Sequence, residues 1–242
     1  MKKKHLLFTV APLALLSVLA IWFFSRMAWV YDLKSIFPKA EAPELYLIPQ
    51  PLRWSEPSPV KSSLTNSTCM LSTPWEFPPE IMSTSTNMTV YSFSNGVRII
   101  VWAESSSLMG VDSLQTGGGE LFNKDPYTES KYSFLKNCLN SSPDQISAFK
   151  PTETTLQNSC LLLLKSSVLS TGSTYFEYNI DGRTGFQLGD PTTDRCITLI
   201  CFTSPNEAVE LVIVKTETSE IDIGQSDINC IIESLKINAN HH

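Results

Sequence analysis

Residues 6–24 form an uncharged apolar run that opens just after Lys2, Lys3 and Lys4 and closes at Ser25 and Arg26. A bilayer core of ~30 Å is crossed by about 20 residues at helical rise, so the run predicts a membrane-spanning helix over residues 6–25. Leu6, Leu13, Leu16, Ile21 and Phe24 are its anchor positions, and Trp22 and Trp29 suit the interfacial belt. The three lysines hold residues 1–5 in the cytoplasm by the positive-inside bias. Everything beyond the helix is then extracytoplasmic, in a periplasm or an equivalent space. A secretory signal cleaved after Val18-Leu19-Ala20 competes with this reading. Signal h-regions span ~7–15 residues and end at small side chains, whereas this run continues through Ile21, Trp22, Phe23 and Phe24, which favours a retained anchor. No later segment approaches spanning length.

Charge and histidine content then remove whole classes of function. Lys2, Lys3, Lys4 and Arg26 are four of the 18 basic residues, and all 24 acids follow them, leaving 14 bases against 24 acids. Nucleic acid requires a basic surface to displace counterions, so a nucleic-acid partner is excluded. An anionic membrane surface is disfavoured for the same reason. The three histidines are His5, His241 and His242, so the region between has none. A Ser-His-Asp or Cys-His nucleophile and a histidine-based zinc site are excluded within one chain. The sequence points to no cofactor. Six cysteines follow the anchor: Cys69, Cys138, Cys160, Cys196, Cys201 and Cys230. An even number in an oxidising compartment permits disulfides, and buried free thiols acting as small apolar groups are the alternative. Cys160 lies on a helical stripe with Leu156, Leu163 and Leu164, which predicts a core position.

Residues 26–68 carry Pro38, Pro43, Pro49, Pro51, Pro57 and Pro59 and predict an extended extracytoplasmic linker. Within it, Leu45-Tyr46-Leu47-Ile48 is an apolar patch able to dock on the domain. Residues 69–237 predict one folded unit, and residues 238–242 a short tail. Residues 89–103 read as a hairpin around Ser94-Asn95-Gly96, Asn-Gly being suited to two positive-φ positions. The serine- and threonine-rich residues 82–89 and Gly117-Gly118-Gly119 read as loops. Helices are predicted over residues 130–140, 143–149 after Ser142, and 153–166. Strands return at 174–180 and 184–188 around Asp181-Gly182, then at 195–202 and 208–215. A last helix capped by Ser226 lays Ile228, Ile231, Ile232 and Leu235 on one face. This order predicts an α+β fold, an antiparallel sheet of two hairpins and a meander with helices packed on it. Asn66, Asn87 and Asn140 begin glycosylation sequons, which matter only in a eukaryotic secretory pathway.

Residues 69–77, the hairpin 89–102, the meander 185–215 and the ending Ile231-Ile232-Glu233-Ser234-Leu235-Lys236 together resemble the PsbP-like α/β/α sandwich superfamily. Gly185-Phe186-Gln187-Leu188-Gly189-Asp190-Pro191 and Gln225-Ser226-Asp227-Ile228-Asn229 are similar to stretches in uncharacterised bacterial membrane-anchored proteins. The resemblance is architectural and carries no functional residues. It implies a mostly non-catalytic binding or assembly-assisting role, a fold-level analogy only.

Three functional expectations follow. The first is a membrane-tethered, non-enzymatic domain that binds a protein partner in an envelope assembly. The second is an extracytoplasmic hydrolase using carboxylates, with Asp181, Asp190 and Asp194 as the candidate loop acids, although aspartate beside glycine ordinarily forms turns. The third is a small-ligand or lipid site lined by Tyr175, Phe176, Tyr178, Phe186 and Phe202, which otherwise fill the core.

Overall fold

Alternation along the strands decides the layers. On the strand Val97–Trp102, Val97, Ile99 and Val101 are buried while Arg98 is exposed. On Cys196–Ser204, side chains pointing both ways are buried, so this strand reads as a continuous apolar run. The computed structural model describes residues 17–25, 27–28, 35, 38–76, 79–85, 87–103, 105–124, 126–147, 152–168, 172–219 and 221–237. In chain order the elements are β1 (Gln50–Pro51), β2 (Ser62–Thr65), β3 (Cys69–Thr73), β4 (Glu80–Thr84), β5 (Met88–Ser92) and β6 (Val97–Trp102). Helices α1 (Ser106–Gly117), α2 (Lys131–Asn140) and α3 (Thr152–Val168) follow. The chain then forms β7 (Tyr175–Ile180), β8 (Arg183–Leu188), β9 (Cys196–Ser204), β10 (Glu207–Lys215), α4 (Gln225–Ser234) and β11 (Lys236–Ile237).

Eight strands make one sheet in the order β1-β7-β8-β9-β10-β6-β5-β4, and β11-β3-β2 make a second. All pairs are antiparallel except β1 with β7. One face of the large sheet buries Ile99, Leu199 and Leu211 against Ile228, Ile231 and Ile232 of α4 and Leu64 and Leu71 of the small sheet. The opposite face buries Phe186, Leu188 and Ile200 against Leu135, Leu139 and Leu161 of α2 and α3. The fold is therefore α+β, a large sheet with helices packed on it, as the pattern predicts.

Several local expectations change. The two-residue turn with both φ values positive is Asp181-Gly182, at 49° and 78°, and not Asn95-Gly96. At the earlier hairpin only Gly96 is left-handed, at 83°, and its N–H donates to Phe93 O to close a longer turn. Helix α1, which the sequence reading does not predict, buries the short stripe Leu108, Val111 and Leu114 against the α2–α3 core. Its start is fixed by Ser105, which accepts from Leu108 N, and by buried Glu210, whose Oε2 accepts from Ser105 Oγ at 2.9 Å and Ser107 N at 3.3 Å. Gly118 ends that helix by donating to Leu114 O, so the glycine triplet is a helix stop. The segment read as a loop before residue 89 contains part of β4. The cap of α4 is Gly224, because Asp227 reaches back to accept its N–H at 3.0 Å. The stripe Leu156, Cys160, Leu163 and Leu164 on α3 splits: Leu164 is buried and Cys160 packs partly against the core, whereas Leu156 and Leu163 face outward, Leu163 at 55 % exposed. Beside Leu164 the helix buries Leu161, Leu162 and Lys165.

The proline-rich stretch is the largest correction. Residues 43–61 form a belt around the domain, so the folded unit begins well before Cys69. Leu45 packs with Ile146 and Leu162 in a small core of its own. β1 pairs with the edge of β7, where Pro51 lacks no needed donor because β1 is bonded on one side only. Leu52 N donates to Glu177 O at 2.9 Å, and Leu52 and Trp54 pack on the α4 side of the sheet. Asn229 Nδ2 donates to Ser55 O at 2.8 Å, Ser58 N to Ser226 O at 2.9 Å, and Lys61 N to Thr73 O at 2.9 Å. The belt thus starts on the α2–α3 face, rounds the sheet edge and finishes on the α4 face.

Lys165 is the clamp that holds the belt's first half. It is 1 % exposed, and its Nζ donates to Leu45 O at 3.2 Å, Leu47 O at 2.7 Å, Leu139 O at 2.8 Å and Ser141 O at 2.7 Å. Leu139 and Ser141 close α2, so the ammonium sits at the negative end of that helix and satisfies carbonyls the helix leaves open. A second buried network holds the other half. Gln187 and Gln225 exchange amide hydrogen bonds at 2.9 and 2.8 Å, Gln225 Nε2 donates to Asn229 Oδ1 at 3.0 Å, and Asn229 carries Ser55.

Among the described residues, no helix is long and apolar enough to cross a membrane. Residues 17–25 are helical, with Ile21 69 % and Phe24 68 % exposed. Lys2, Lys3, Lys4, Leu6, Leu13, Leu16 and the tail 238–242 lie outside the described residues.

Candidate functional site

A cleft of about 290 Å³ opens at the end of the sheet where β7 turns into β8, walled by the C-terminal half of α4. Three local features make it. The Asp181-Gly182 turn swings Arg183 to the mouth. Gly185, on the same face of β8 two residues on, has no side chain, and the ring of Tyr178 occupies the space its Cβ would need. Tyr178 Oη donates to Cys201 Sγ on β9 at 3.0 Å, which fixes the phenol across the floor. Ile232 and Leu235 come in from α4, and Phe202, Thr184 and Thr203 complete the lining.

Arg183 makes no ion pair or hydrogen bond among the described residues. Burial and the neighbouring Cys201 push the Tyr178 phenol well above its ordinary range. Burial raises the Cys201 thiol to about 11, so it is a neutral structural group rather than a thiolate nucleophile.

Of the three acids singled out by sequence, the structure keeps two together. Asp181 forms the β7–β8 turn, while Asp190 and Asp194 lie past the far end of β8, roughly 20 Å of strand away. Asp194 Oδ2 accepts from Ser173 N at 2.9 Å, Ser173 Oγ at 2.7 Å and Asp190 N at 2.8 Å. Its carboxyl is held below the usual range: burial pushes it up, but these hydrogen bonds and Lys215 outweigh that. Asp190 Oδ1 accepts from Thr192 N at 2.8 Å and Thr192 Oγ1 at 2.6 Å. Both shape a loop, and neither faces the cleft. Of the five aromatic candidates, Tyr178 lines the cleft and Phe202 borders it, while the ring of Phe202 packs with Tyr175 and Phe186 under α2 and α3. Arg183, Thr184, Thr203, Ile232 and Leu235 were not singled out by sequence. The available signal was a lone arginine following an Asp-Gly turn, opposite an apolar strand. Among the described residues no group of His, Cys, Asp or Glu side chains could hold a metal ion.

All six cysteines are free, and Cys69, Cys138, Cys201 and Cys230 are buried. The pairing alternative is therefore set aside in favour of thiols used as small apolar groups. Burial raises Cys69 and Cys138 to about 12 from an ordinary 9.0. Below pH ~9 these thiols are neutral folded or unfolded, and their stabilising contribution is complete. Above it the unfolded chain ionises while the fold keeps them neutral, so stability falls as pH rises toward their folded values. Each thiol contributes ~1.4 kcal/mol per pH unit across that window. Lys165 acts in the opposite sense, since burial lowers it from 10.5 to about 8 and stability gains as pH rises between those values. Three thiols outweigh one lysine, so urea unfolding midpoints should fall from pH 9 to 11. Cys138→Ala should flatten that slope. An unchanged slope would remove the thiols as its cause.

No known protein-family model matches the chain, and a search of characterised proteins finds no match.

Proposed function

We propose that this chain is a single-pass, membrane-tethered, non-enzymatic domain that binds a protein partner on the extracytoplasmic side. The observation that carries this reading is the apolar helical stretch 17–25, whose Val18, Leu19, Ile21, Trp22 and Phe24 are all exposed. Side chains of this kind need a non-aqueous surrounding, and together with residues 6–16 they make a run of spanning length. Lys2, Lys3 and Lys4 give the orientation. The helices on both faces of the sheet are what a PsbP-like relationship entails, and that relationship favours binding over catalysis.

The surface best suited to a partner is the sheet edge at β4. All five of its residues are exposed, with Ile81 at 62 % and Met82 at 58 %, and among the described residues it is paired only with β5. An open edge of this kind accepts an added strand through its main chain. Membranes bearing the full chain should keep it after alkaline carbonate washing and release it after detergent. Mild cross-linking followed by purification should recover one reproducible envelope protein, and Met82→Lys should lose it. Extraction by carbonate would refute the tether. Failure to recover any partner, or recovery unaffected by Met82→Lys, would refute the binding role at β4.

A further inference from the structure

We propose that the cleft between β8, β9 and α4 binds a small carboxylate carrying an apolar body. Its floor and wall are the ring of Tyr178 together with Ile232 and Leu235, which give the cleft its apolar lining. Its mouth carries Arg183, with no counter-ion among the described residues, and Thr203. A guanidinium meets a carboxylate through two parallel hydrogen bonds, a fit that a fixed arginine beside an apolar floor favours. An inorganic anion satisfies the arginine but leaves the floor wetted. A neutral apolar molecule fills the floor but leaves the cation unpaired. The volume of 290 Å³ lies at the small end of ligand pockets, which selects a short-chain or single-ring acid over a lipid. The shape is built in: the bare Gly185 and the Tyr178–Cys201 hydrogen bond hold the floor in place without any ligand. This reading uses none of the residues of the tether or of the β4 edge.

The test is isothermal titration of the full chain, held in amphipol, with phenylacetate, benzyl alcohol and inorganic phosphate, and with empty amphipol as the blank. Phenylacetate should bind saturably, near one per chain. Arg183→Gln should weaken it by about 10-fold or more, the scale of a lost charge-assisted pair. Ile232→Trp should abolish binding by filling the cleft, with circular dichroism and the melting curve establishing that both variants fold. If Ile232→Trp does not fold, Leu235→Phe takes its place. The proposal is overturned if phenylacetate shows no saturable binding up to ~5 mM. It is equally overturned if Arg183→Gln binds as well as the parent, or if benzyl alcohol or phosphate alone binds as tightly as phenylacetate.

Discussion

Lys165→Ala should lower the unfolding free energy by about 3–5 kcal/mol, because it strips the donor from four carbonyl oxygens in a site that water does not reach. Those oxygens belong to Leu45 and Leu47 of the belt and to Leu139 and Ser141 at the end of α2. Each carbonyl then either stays unpaired or moves until it meets water, and movement means that the belt detaches from the helices. Two signals should therefore change together: the urea midpoint falls, and protease cuts appear within residues 38–50 before the rest of the domain is attacked. Lys165→Met keeps the apolar stem but not the ammonium, so it should recover the packing part of the loss and leave the belt loose. An unchanged midpoint with an intact belt would show that the four hydrogen bonds contribute nothing net.

Gly185→Ala should cost about 3 kcal/mol, at the upper end for adding one methyl to a packed interior. A Cβ there falls well inside contact with Ile200 O and with Oη and Cζ of Tyr178. The tyrosine has some room to swing, but Ile200 O belongs to the neighbouring strand and cannot retreat without opening the β8–β9 ladder. Tyr178→Phe removes the Oη contact but keeps Cζ, so it relieves part of the clash, and by itself it loses only the hydrogen bond to Cys201. The double variant should therefore be more stable than the two separate losses add up to. Chemical denaturation of the four proteins measures this directly. Strict additivity would mean that the phenol hydroxyl is not what opposes the methyl.

The elements readable from sequence are those whose signal is local. The leucine-rich helices, the Asp181-Gly182 hairpin and the stripe Ile228, Ile231, Ile232, Leu235 carry their periodicity and their caps within a few residues. The belt does not. Six prolines over a polar stretch describe a linker equally well, and what makes it a belt is Lys165, Glu177 and Asn229, each more than 100 residues further along. Helix α3 shows the same limit. Leu156 and Leu163 suggested one buried face, but the helix turns so that Lys165 reaches inward, and a lysine in a leucine run gives no local sign of that. Helix α1 carries only the short stripe Leu108, Val111 and Leu114, and its start depends on Glu210, a hundred residues later. The cleft is half legible: Tyr178 stands among the candidate aromatics, while the bare Gly185 and Arg183, without a partner among the described residues, acquire meaning only once β7, β8 and β9 lie side by side.

The belt also decides how a pull on the N-terminus would be felt. On the tethered reading, tension from the bilayer does not reach the fold at Cys69; it first loads the Lys165 clamp and the short β1–β7 pairing. While these hold, the belt stays on the domain and adds nothing to the tether's reach. Were they to give way, residues 43–61 would add ~60 Å more, and α4 would lose its contacts with Ser55 and Ser58. One buried ammonium would then set how far from the membrane the domain can reach, with two lengths available and little between them.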